Sequence, residues 1–138
     1  LEQKGCVFRP HVLGVQVGQP LLIRNDDPTG HNIHALARVN KEFNFGQPFQ
    51  GLEITQVFKK PEVMIRIKCD IHPWMTCYLF VTDNPFSTTT DTQGNFSVSG
   101  LAPGKYSIEI WHETLGVSVQ AVTVKANETA TVAVSLKK

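Results

Sequence analysis

No stretch of this 138-residue chain approaches the ~20 consecutive apolar residues that a membrane-spanning helix needs, so none is expected in it. Net charge is nearly absent: 13 Lys and Arg stand against 12 Asp and Glu, and the basic residues are scattered. A nucleic-acid footprint or a membrane-surface patch needs clustered basic charge, and neither is expected here. No segment holds a helical apolar period for three turns. Val39–Phe49 comes nearest and is broken by Asn, Gly and Pro. There is no internal repeat and no low-complexity tract. The chain shows no signal peptide and opens on Leu1 rather than Met, which points to a processed or trimmed product. Cysteine is scarce and odd in number: three residues cannot all pair within one monomer, so at least one thiol is free, metal-bound or bridged to another molecule.

What is present is a β pattern resting on 41% hydrophobic residues, enough for a globular core. Short runs rich in Val, Ile, Thr and Phe, bounded by Gly, Pro, Asn or Asp, predict strands. They fall at Cys6–Arg9, Val12–Val17, Leu21–Asn25, Asn32–Ala35, Glu53–Phe58, Glu62–Cys69, Tyr78–Val81, Asn95–Val98, Lys105–Trp111, Val117–Val124 and Thr129–Leu136. Many short strands with turn signals between them indicate an all-β sandwich or barrel. A seam near Thr82–Pro85 separates a first part holding the paired His and Cys clusters from a Thr/Ser-rich tail. In the tail, Asp91–Gly94 and Ala102–Gly104 are expected turns, the second with Gly104 at positive φ. One slip in the alternation of Val117–Val124 suggests a bulge.

The chemistry concentrates in Cys69-Asp-Ile-His72-Pro-Trp-Met75. Val63, Ile65 and Ile67 alternate with Met64, Arg66 and Lys68, so odd residues are expected to face a core and Cys69 to continue inward at the strand end. His72 and Met75 then lie in a tight loop stiffened by Pro73. A thiolate, an imidazole and a thioether converging at the rim of a sandwich favour copper over calcium, magnesium or manganese. A His₂Cys set with a long axial Met is the blue-copper arrangement, whereas zinc favours a further Cys, His or carboxylate. A second histidine must come from elsewhere. Asn25-Asp-Asp-Pro-Thr-Gly-His31-Asn32-Ile-His34 supplies two candidates of opposite strand parity, with Asn32 able to tie two loops by hydrogen bonds.

The segment Cys6–Val81 resembles the cupredoxins, closest to amicyanin and plastocyanin. The likeness rests on Phe8-Arg-Pro10…Val15-Gln-Val17-Gly18, Gly30-His31-Asn32-Ile33-His34 and Cys69-x-x-His72-Pro73-x-Met75. It implies a single type 1 copper ion held by His31, Cys69, His72 and Met75, with Asn32 supporting them. The segment Thr88–Leu136 is similar to carboxypeptidase regulatory-like (transthyretin-like) domains through Thr90-Asp91-x-x-Gly94-x-Phe96…Leu101-x-Pro103-Gly104-x-Tyr106. Together the two resemble bacterial methylamine-utilization or plastocyanin-like proteins. The implied architecture is a Greek-key cupredoxin sandwich at residues 1–82, then a small transthyretin-like β-sandwich module at 83–138. The first cupredoxin strand is expected to be missing and the tail is short for a complete sandwich, which suggests a fragment of a longer chain or strands shared between the parts.

The function so implied is extracytoplasmic (periplasmic) electron transfer through Cu(II)/Cu(I), without enzymatic activity, to a redox partner of cytochrome c or dehydrogenase type. Copper binding and delivery is the competing function. His72, in its loop, is the expected ligand nearest solvent, and Trp74 and Pro73 are candidates for the docking surface. Cys6 and Cys77 could pair as a disulfide. Alternatively, Cys6 completes a second, altered or dinuclear metal site that His11 and His34 could join. Trp111-His112-Glu113 is read as a core Trp beside a solvated pair.

Overall fold

A computed structural model describes residues 1–137. The chain divides into two compact units, Leu1–Ser97 and a second from Val98 onward. No helix occurs among the described residues, and so none is long and apolar enough to cross a membrane.

The first unit contains β1 (Glu2–Gln3), β2 (Phe8–Arg9), β3 (Val12–Gln16), β4 (Pro20–Asn25), β5 (His31–Leu36), β6 (Phe43–Gln47), β7 (Glu53–Val57), β8 (Glu62–Lys68) and β9 (Thr76–Thr82). One sheet has the order β2-β1-β4-β7 and the other β3-β9-β8-β5-β6. The parallel pairs β1·β4 and β3·β9 bring chain-distant strands together. One core joins the two sheets: Leu21 and Ile23 face Ile33, Ala35, Ile65, Ile67, Leu79 and Val81. Each fully buried aliphatic side chain contributes about 1.5–3 kcal/mol relative to exposure.

Four details differ from the sequence reading. The segment near Glu2 forms a strand, β1, on the edge of β4. Residues 43–47, where the apolar pattern was too broken to assign, form β6 and pair with β5. Val63 does not share the inward parity of Ile65 and Ile67. A register shift between Glu62 and Ile65 reverses the facing, so that Glu62 is buried and Val63 exposed. All three cysteines are free thiols, so Cys6 and Cys77 are not bridged. Close approach also shapes the sheet: Gly14 of β3 lies opposite Phe80 of β9, whose ring occupies the space a Cβ would take.

The second unit is built on a hairpin of β10 (Gly104–His112) and β11 (Gly116–Val124) in unbroken antiparallel register, without the expected bulge. Gly104 begins β10 at ordinary φ; the positive-φ residue of that turn region is Gly100, at 80°. Phe96 and Val98, and likewise Val132, Val134 and Leu136, are half-buried at alternate positions, yet neither segment forms a ladder among the described residues. Alternation sets which side chains turn inward; a strand also needs a neighbour for its amides. The Asp91–Gly94 turn is present, with the Asp91 carboxylate accepting from the Gln93 and Asn95 amides. Trp111 is half-buried at the end of β10, and His112 and Glu113 are exposed.

Candidate metal centre

The end of β8 and the start of β9 bring the Cys69–Met75 loop to one end of the sandwich. The loop is closed by two backbone bonds, Met75 N to His72 O (2.9 Å) and Cys69 N to Met75 O (3.2 Å). Cys69 and Met75 are buried in the core cluster, His72 is half-buried, and Ile71, Pro73 and Trp74 are exposed. His31, the first residue of β5, is buried beneath this loop.

The ring nitrogens converge. His31 Nδ1 lies 3.0 Å from His72 Nδ1, with ring centroids 4.8 Å apart. Cys69 Sγ lies 3.9 Å from the same His72 nitrogen. Two nitrogens about 2.0 Å and one sulfur about 2.3 Å from a common ion are separated by roughly 3–4 Å, and both pairs that His72 makes meet this spacing.

His31 is oriented for that role. Its Nε2 faces Asp27 Oδ2 at 2.9 Å, which leaves Nδ1 to present a lone pair toward His72. A carboxylate behind a ligating imidazole fixes its tautomer and raises its basicity. Burial works to raise the Asp27 carboxyl, but the Cys6 and Gly5 amides and the His31 ring outweigh it and hold it below the ordinary carboxylate range. His34 faces carboxylates at both nitrogens, Asp70 at 3.1 Å and Glu42 at 2.9 Å. Both of its nitrogens are thus engaged away from His31 and His72.

Asn32 ties the site together. Its Oδ1 accepts from the Asp70 amide (2.7 Å) and from the Cys69 thiol (3.2 Å), while its Nδ2 donates to Asn44 and Asp70. The Asp70 carboxylate also pairs with Lys68 Nζ at 2.7 Å. Lys68, followed by the Asn44 and Asn32 amides and His34, holds this carboxyl far below its usual range against the pull of desolvation.

Cys6 stands elsewhere than the grouping with His11 and His34 anticipated. Its ligand atom and those of His31 and His72 all lie within 4.8 Å of one another, the one such trio of His, Cys or acidic side chains among the described residues. His11 instead meets Tyr78 edge-on, at 5.6 Å between ring centroids. The sequence reading assigned no role to Asp27. Its signal was a carboxylate four residues before a candidate ligand histidine.

With this geometry in view, comparison with known proteins is informative. A copper-containing nitrite reductase (NirK) from Thermus scotoductus SA-01 aligns at 22% identity with a TM-score of 0.56, over 60% of this chain and 22% of the longer reductase chain. A Cu(I) amicyanin variant aligns at 21% identity and TM-score 0.51, over 58% of this chain and 77% of its own. A purple cupredoxin from Nitrosopumilus maritimus aligns at 26% identity and TM-score 0.47, over 57% and 85%. No curated protein matches the chain. At such identities the first two likenesses establish the fold: the sandwich is a cupredoxin fold. The family model of the carboxypeptidase regulatory-like domain matches residues 79–137, beginning within β9.

Proposed function

We propose that the sandwich is a mononuclear type 1 copper electron carrier, with His31, Cys69, His72 and Met75 as its ligands. The observation that carries this reading is the place of His72 Nδ1, 3.0 Å from His31 Nδ1 and 3.9 Å from Cys69 Sγ, in a loop that also buries Met75. Bound there, copper would pass one electron at a time by alternating between Cu(II) and Cu(I). The chain's own part is to hold the donors still. Asp27 fixes the His31 tautomer, Asn32 restrains the Cys69 thiol and the Asp70 amide, and the Met75–His72 and Cys69–Met75 backbone bonds fix the loop. Donors fixed by the surrounding sandwich need little rearrangement when the ion changes charge.

His72 is the half-buried member of the set and the natural exit for an electron. Its ring lies 5.2 Å from that of Trp74, which is 66% exposed. Exposed Ile71, Pro73 and Trp74 form an apolar rim on which a redox partner protein, of cytochrome c or dehydrogenase type, would dock. We place the protein in an extracytoplasmic, periplasmic setting and read it as a carrier without catalytic activity of its own. The nitrite reductase likeness is to its fold; a second, catalytic copper needs further free histidines, and both nitrogens of His34 are committed to carboxylates.

The test is the visible absorption and electron paramagnetic resonance spectrum of the Cu(II)-loaded chain beside Cys69→Ser. An intense thiolate-to-copper band with a type 1 or perturbed type 1 signal, lost in the variant, is expected. An ordinary tetragonal copper spectrum in the wild type would overturn the assignment.

A further inference from the structure

We propose that Cys6 is a second thiolate ligand to the same ion, making a two-cysteine, two-histidine centre in which Cys6 rather than Met75 takes the fourth position. This rests on the reading of one copper held by His31, Cys69 and His72, and revises only its fourth ligand, Met75. The ligand atom of Cys6 lies within 4.8 Å of those of both His31 and His72.

The backbone around Cys6 is the second observation. Gly5 and Cys6 are the two central residues of the β1–β2 hairpin turn, closed by Lys4 N to Val7 O at 3.0 Å, and both have positive φ, 67° and 52°. A two-residue hairpin of this kind favours Gly, Asn or Asp at both centres, because a Cβ crowds the left-handed region. Cysteine is poorly suited there. Yet the residue is pinned on both sides: its amide donates to Asp27 Oδ2 at 2.8 Å, and its carbonyl accepts from Trp74 Nε1 at 2.9 Å. The same Asp27 oxygen faces His31 Nε2, and Trp74 belongs to the loop of Cys69 and His72. One carboxylate and one indole therefore register the Cys6 turn against the other ligands. Neither bond uses the Cys6 side chain, so glycine would serve the turn better; partial packing against the core asks only for a small apolar group. What neither accounts for is a thiol beside two imidazole nitrogens.

Two thiolates and two imidazoles form a softer and more negative set than one thiolate with a thioether, and suit tetrahedral Cu(I) or zinc. Met75, fully buried among Ile67, Cys77 and Leu79, then serves as core packing.

The experiment is copper K-edge X-ray absorption on the whole chain loaded with one equivalent of Cu(I), beside Cys6→Gly, Cys6→Asn and Cys69→Ser. Wild type should show two sulfurs at about 2.3 Å per copper and each variant one. Cu(I) affinity should fall at least about tenfold in the Cys6 variants, while the metal-free glycine variant resists denaturant at least as well as wild type. Should the variants not fold, iodoacetamide labelling of wild-type Cys6, followed by mass spectrometry, decides: bound Cu(I) should protect it, and unchanged labelling overturns the proposal. A sulfur count unaltered by Cys6→Gly, whether one or two, overturns it and leaves the copper reading standing. Two coppers per chain with a copper–copper signal overturn the shared single ion. Copper without any sulfur neighbour overturns both.

Discussion

Replacing Asp27 with alanine removes one side chain that organises three others, and the structure sets the size of the effect. The carboxylate accepts from Gly5 N (2.7 Å), Cys6 N (2.8 Å) and His31 Nε2 (2.9 Å). Water can replace the bond to exposed Gly5. The half-buried Cys6 amide recovers part of its own. His31 is 1% exposed, so its Nε2 would be stranded without a partner. A stranded buried donor costs about 1–3 kcal/mol and a hydrogen bond to a charged group contributes about 1.5–3 kcal/mol. Counting full loss at His31 and partial loss at Cys6 gives a penalty of roughly 2–4 kcal/mol for the metal-free protein. For a unit of this size that corresponds to a fall in Tm on the order of 10–25 °C. Loss of the partner that fixes His31 should also weaken copper binding about 10- to 100-fold.

The assays are urea denaturation of the metal-free chain and competition for Cu(I) against a chelator. The pH dependence adds a sign. Because the folded carboxyl lies below its ordinary value of 3.8, its stabilisation is complete above that value and is lost as pH falls through the folded one. The difference between wild type and Asp27→Ala should therefore be steady near neutrality and shrink in acid. A variant within about 0.5 kcal/mol of wild type, with copper affinity unchanged, would refute the claim that Asp27 organises the site.

Three further outcomes follow from the same structure. Gly14→Ala places a methyl in the space the Phe80 ring fills, so the ring must move; thermal unfolding should show a loss of about 1–3 kcal/mol, and an unchanged Tm would contradict this close approach. Glu62 is 8% exposed and accepts from the Arg38 and Asn40 amides, which hold its carboxyl below the ordinary range although burial acts to raise it. Glu62→Gln should lower denaturant stability by about 1–3 kcal/mol at pH 7 and by less below the ordinary glutamate value of 4.5, whereas a pH-independent loss would mean that packing dominates. Burial pushes the Cys77 thiol up to about 12, so in the folded metal-free chain iodoacetamide at pH 8 should label half-buried Cys6 and spare Cys77 until denaturant is added. Equal labelling rates would contradict that burial.

The local placement of the proposed ligands was legible from their order alone. The period-two run into Cys69 placed it inward, and Ile65, Ile67 and Cys69 are all buried. The C-x-x-H-x-x-M loop brought His72 to within 3.9 Å of the Cys69 sulfur because so short a segment has nowhere else to go. Asn32 ties strand to loop as its neighbour position suggested. Parity failed at Val63, since a register shift in a ladder depends on the partner strand as much as on the strand itself. Neighbourhood along the chain also could not choose the company of Cys6. The sequence left His11 and His34 as residues that could join it, but the β1·β4 pairing and the Asp27 carboxylate carry the Cys6 turn to His31 and His72 instead. In the tail, alternation at Val132, Val134 and Leu136 marked which residues turn inward, but not whether a strand partner lies beside them. Sequence periodicity determines the facing of side chains and the contents of a short loop, because those are local properties of the backbone. Which distant segments meet, and therefore which thiol stands beside which imidazole, is set by pairing between strands, and that only the folded chain decides.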